Sequence, residues 1–130
     1  MTTPAKIKLG AQPASFTRAV TFPMLDSTTG SIECQFKYRT RSQFGALVDE
    51  MATDAKTDVA DITQVGSMER YMHLGSAANA RYLLKILDGW GLDQPLTPET
   101  AHQLADELPA AVGAIVETYR AAIIEGRLGN

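Results

Sequence analysis

The densest group of side chains able to do chemistry is basic: Lys37, Arg39 and Arg41, with Arg18 placed to join them from a neighbouring strand. Cations at this spacing could hold phosphates, and the interleaved Tyr38 could stack on a base. Two features oppose a nucleic-acid surface. Strand alternation turns Tyr38 to the face opposite Lys37 and Arg39, and the chain has a formal net charge of −3. The ordinary reading is a solvated strand face. The functional one is a protein contact, because arginine is enriched at interface hot spots. Arg41 falls in the first turn of a helix, against the macrodipole. That local conflict points to a role or to a nearby acid.

Other chemistries find little support. His73 and His102 lie far apart in sequence, and neither has the partner spacing of a metal set. Cys34 is the sole cysteine and falls on the apolar face of a strand, where a thiol behaves as a small inert hydrophobe. The acid pairs Asp58/Asp61, Asp88/Asp93 and Asp106/Glu107 do not follow a calcium-loop pattern. No phosphate-binding glycine loop occurs. The residues therefore assign no catalytic, cofactor or metal site, and the chain reads as a non-enzyme.

The elements that must carry the basic group meet at residues 36–44. Ile32, Cys34, Phe36 and Tyr38 alternate with polar residues, as on a half-buried strand. Phe44, Leu47, Val48 and Met51 follow at helical spacing. Thr40 and Gln43 have capping-box spacing at the switch. Upstream, Phe16–Met24 reads as a first strand, with Arg18 the odd member of the face bearing Phe16, Val20 and Phe22. Asp26–Gly30 is a turn, with Gly30 expected to supply a positive φ, so the strands form an antiparallel hairpin.

Downstream, a helix over 41–54 should cover the hairpin, with a loop or frayed end over 53–61. A short helix around Met68, Tyr71 and Met72 is expected to break near Gly75, and a stronger one to run from Ala77 to Asp88. Ala80, Leu83, Leu84 and Leu87 form its stripe, while Tyr82 and Ile86 lie on a second apolar strip suited to core or interface. Gly89 should end this helix as a C′ residue. Trp90, the lone tryptophan, would fill the core edge or anchor a partner. Thr97-Pro98-Glu99 starts the next helix, and Pro109 breaks or restarts it before the last one, over 109–126.

The 130 residues, 45% hydrophobic, suit a single domain over 1–130. Residues 1–14 read as a mobile arm with a possible short strand at Lys6–Leu9, 15–40 as the hairpin and 41–130 as the helical part. The fold class is α+β: an N-terminal antiparallel hairpin packed against about four helices. A lone cysteine, no apolar leader and no long apolar run lead to the expectation of a soluble intracellular protein.

The order of these features resembles the tail assembly chaperones of long, non-contractile-tailed phages and prophages. The resemblance is carried by the hairpin with Phe22–Pro23 and Asp26–Gly30, then by Phe36-Lys37-Tyr38-Arg39-Thr40-Arg41 running into a helix with Phe44. Gly89-Trp90, Leu92-Asp93, Leu96 and a helix start follow. Ala114-Ile115, Glu117-Thr118-Tyr119 and a short basic tail from Arg127 close the match. It covers about residues 15–51 and 83–130; residues 52–80 are longer here than in those proteins.

The resemblance implies a self-associating, cytoplasmic protein that acts during tail assembly and is absent from the finished virion. Its implied partners are the tape-measure protein and the tail-tube protein. On the residues, the candidate partner contacts are Arg18, Lys37, Arg39, Arg41, Tyr82, Ile86 and Trp90. The alternative is a nucleic-acid-associated regulator using the basic patch at 37–41. A third possibility is a small enzyme with His73 set beside carboxylates in a deep pocket.

Overall fold

The computed structural model describes the backbone of residues 6–58 and 66–126, with side chains over 6–53 and 66–126. Strands β1 (Ser15–Pro23) and β2 (Thr29–Lys37) pair antiparallel from Ser15↔Lys37 to Pro23↔Thr29. Val20, Phe22, Ile32, Cys34 and Phe36 all point to one buried face, as their alternation requires. Lys6–Leu9 carries no strand; residues 6–14 are irregular and exposed.

The hairpin turn corrects one expectation. Ser27, not Gly30, takes the left-handed conformation, with φ 70°. The Asp26 carboxylate holds the turn by accepting from the Thr28 amide at 3.0 Å and from the Thr28 hydroxyl. These bonds lower the pKa of Asp26. Gly30 is needed for space: a Cβ there would lie 2.7 Å from Phe22 Cε2.

Helix α1 spans Arg41–Asp58, longer than the sequence suggests, so residues 53–58 are helical and not a loop. The rest of that expected loop, 59–61, lies outside the described residues. Its start is the reciprocal cap read from the sequence. The Gln43 amide donates to Thr40 Oγ1 at 3.2 Å, and the Thr40 amide donates to Gln43 Oε1 at 2.9 Å.

Helix α2 spans Met68–Ile86 with Ser67 as N-cap, and it runs through Gly75 without interruption. A glycine inside a helix costs about 1 kcal/mol relative to alanine. Packing of α2 against the rest of the fold offsets that cost.

The largest departure follows. The helix stops at Ile86, and Leu87–Trp90 forms a third strand, β3, antiparallel to β2. Gly89 pairs opposite Gln35 and does not act as a helix terminator. Beyond the strand, the Gly91 amide donates to the Glu33 carbonyl at 2.8 Å. Without β3, one edge of β2 would carry unpaired backbone groups, and this pairing satisfies them. The 41–130 part is therefore not wholly helical.

Helices α3 (Pro98–Glu107) and α4 (Pro109–Glu125) follow. Thr97 and Thr100 form a capping box, and Pro109 restarts the helix as read from the sequence. Gly126 closes α4 in the left-handed conformation. One core joins the inner face of the sheet to α1–α4, through Phe44 and Leu47 of α1, Leu83 and Ile86 of α2, Leu104 of α3 and Ile115 and Tyr119 of α4. Among the described residues the architecture is α+β, a three-stranded antiparallel sheet with four helices.

Candidate functional site

The basic residues around the strand–helix join do not form one free patch. Lys37 Nζ donates to the Leu84 carbonyl at 3.2 Å, so its charge serves the C-terminal end of α2, where the helix dipole favours a cation. Arg39 Nη1 donates to the Tyr119 hydroxyl at 3.0 Å, and that hydroxyl donates to the Lys37 carbonyl at 2.8 Å. Burial raises the pKa of Tyr119, and Arg39 pulls against that shift. Arg41 is exposed, and among the described residues no ion pair satisfies it. Arg18 lies on the inner side of β1, its guanidinium carbon 5.3 Å from the Phe16 ring centroid.

The apolar candidates separate in the same way. Ile86 is fully buried and belongs to the core, so it is not available to a partner. The sequence placed it on a second apolar strip suited to core or interface, and the core reading is the one the fold adopts. Tyr82 is half-buried, and burial beside Tyr119 raises its pKa. Trp90 stands at the surface end of the core. Its indole donates to the Gln94 carbonyl at 2.7 Å, which fixes the ring. It then walls a cleft of 220 Å³ with Leu92, Leu104 and Leu108, edged by Gln103 and Glu107.

A second apolar surface was not among the sequence candidates. Met68, Tyr71 and Met72 are 55%, 37% and 57% exposed on α2. Their i, i+3, i+4 spacing puts them on one helix face. That spacing was visible in the sequence, but the same pattern describes a core stripe, and only packing separates the two.

The histidines meet across α2 and α3 with ring centroids 4.6 Å apart. His102 Nε2 is buried without a hydrogen-bond partner, whereas His73 is exposed. Glu69 and Asp106 border the same depression as His73. It is an open surface hollow, and the deep pocket that would favour an enzyme does not occur there. Among the described residues no group of three or more ligating side chains could hold a metal ion. Cys34 is fully buried, its thiol donates to the Ile32 carbonyl at 3.7 Å, and burial pushes its pKa up to about 12. No helix among the described residues is long and apolar enough to cross a membrane.

The geometry thus defines a small α+β protein with exposed apolar surfaces and no assembled catalytic set among the described residues. A family model for phage tail assembly chaperones matches residues 3–130, and the chain belongs to that family. No curated protein and no solved structure matches it.

Proposed function

We propose that the protein binds the tape-measure protein during tail assembly, keeps it soluble and helps recruit tail-tube subunits. It acts without catalysis, as a homo-oligomer in the cytoplasm of the bacterial host, and is absent from the mature virion. Membership of the tail assembly chaperone family supports the general role. The observation that carries the client-binding part is the exposed Met68, Tyr71 and Met72 face. Methionine adapts to varied apolar partners, and a long helical client presents such partners repeatedly. Many weakly held copies along one client would gain avidity. The cleft beside Trp90 offers a second apolar recess.

Co-expression with the tape-measure protein of the same genome tests this reading. The expected result is co-purification and a higher soluble yield of the client. Absence of both overturns it. The nucleic-acid alternative loses ground because Lys37 and Arg39 already serve internal partners.

A further inference from the structure

Arg18 is a part-buried cation that the fold leaves unexplained. It sits on the inner face of the outer strand β1, opposite Cys34 in the register. Nη1 donates to the Thr17 carbonyl at 2.7 Å, yet Nε is buried with no acceptor. Among the described residues no carboxylate pairs with it. A half-buried cation without an anion is costly, because it loses hydration and gains no compensating charge.

The surroundings leave open space beside the guanidinium. A cleft of 240 Å³ opens at Arg18 and is walled by Phe16, Pro13 and Ile123, with Gln12 and Tyr38 also lining it. The Phe16 ring holds the guanidinium by a cation–π contact, which orients its fork without consuming its donors. A carboxylate entering there would meet the Arg18 guanidinium, whose Nε–H lacks an acceptor and whose planar fork suits two-pronged binding of a carboxylate. The apolar walls would take the side chain beside it.

We propose that the Arg18 cleft receives an aspartate or glutamate side chain, flanked by an apolar residue, from a protein segment. The source of that segment rests on the client-binding reading above; the carboxylate chemistry does not. The competing role is an inward charge that guards the free edge of β1 against pairing, and it predicts no response to a carboxylate.

The test is a titration of the full-length ¹⁵N-labelled protein at low salt, following the backbone amides of Phe16, Tyr38 and Ile123 in every variant and, in the parent protein, the Arg18 Nε–Hε resonance as well. The probes are N-acetyl-Leu-Glu-amide and its Leu-Gln counterpart. We expect saturable shifts with the glutamate peptide and at least about tenfold weaker binding of the glutamine peptide. R18Q should lose the response, and R18K, which keeps the charge but not the fork, should weaken it. No shift, equal shifts with both peptides, or an unchanged response in either folded variant overturns the proposal. Client co-purification reads out separately. A response to the peptide without client binding sinks the client reading alone, and client binding without a peptide response sinks the cleft alone.

Discussion

The Tyr119 hydroxyl donates to the Lys37 carbonyl at 2.8 Å, tying the last helix to the end of the central strand. The same ring stacks on Phe36 at 5.4 Å and on Phe16 at 6.3 Å, and meets Phe44 edge-on at 5.7 Å. One residue of α4 thus contacts β1, β2 and α1. Arg39 completes the arrangement by donating to the same hydroxyl.

Y119F should keep the ring packing and strand both Arg39 and the Lys37 carbonyl. The expected loss is about 1–2 kcal/mol in urea unfolding. R39A should then cost less in the Y119F background than in the parent protein, because the two share one hydrogen bond. Additive effects would show that Arg39 does not act through Tyr119.

The hairpin turn offers substitutions of opposite sign. G30A places a Cβ 2.7 Å from the Phe22 ring and should destabilise by about 1–3 kcal/mol. S27G relieves a left-handed serine at φ 70° and should stabilise by about 0.5–1 kcal/mol. Thermal or urea unfolding of the two variants checks both signs.

Alkaline pH should destabilise the fold. Burial raises the Cys34 thiol from 9.0 to about 12, so an unfolded chain loses this proton first. The folded-state advantage is fully present below pH 9 and falls progressively as pH rises from 9 towards 12. The raised Tyr82 and Tyr119 hydroxyls act in the same direction above pH 10. Unfolding midpoints measured across this range test the sign. At pH 8 the protonated thiol should react with an aromatic disulfide reagent only as fast as the chain opens, and C34A should flatten the alkaline decline.

M72D separates surface from core. Met72 is 57% exposed, so the substitution should leave stability within about 0.5 kcal/mol of the parent. Retention of the tape-measure client should fall at least about tenfold, because a charge would be buried in the contact. Unchanged retention would remove the α2 face from the client surface.

Much of the fold was legible because local rules and tertiary demands agreed. The Thr40–Gln43 cap, the Thr97-Pro98 start and the alternation of Ile32, Cys34 and Phe36 each depend on residues close in sequence, and each forms as read. Leu87–Trp90 was misread because its helical stripe and its glycine are equally compatible with a helix end. Pairing to Cys34, Gln35 and Phe36, about fifty residues upstream, decided it for a strand. Gly30 was misread for a related reason. Its small size answers to the Phe22 ring across the hairpin, a contact invisible to turn statistics.

The candidate site divides along the same line. By itself the sequence determined the α+β class, the capped strand–helix join, the absence of a recognisable catalytic motif and a resemblance to tail assembly chaperones. The tertiary structure alone decided what each charge and apolar side chain faces. It put Lys37 on a helix end, Arg39 on Tyr119, Ile86 in the core, Met68 and Met72 in solvent and Arg18 in a cleft without an anion. The physical reason is range. Periodicity and capping arise between residues a few positions apart, whereas the partner of a side chain is set by which distant segment the collapsed chain brings beside it.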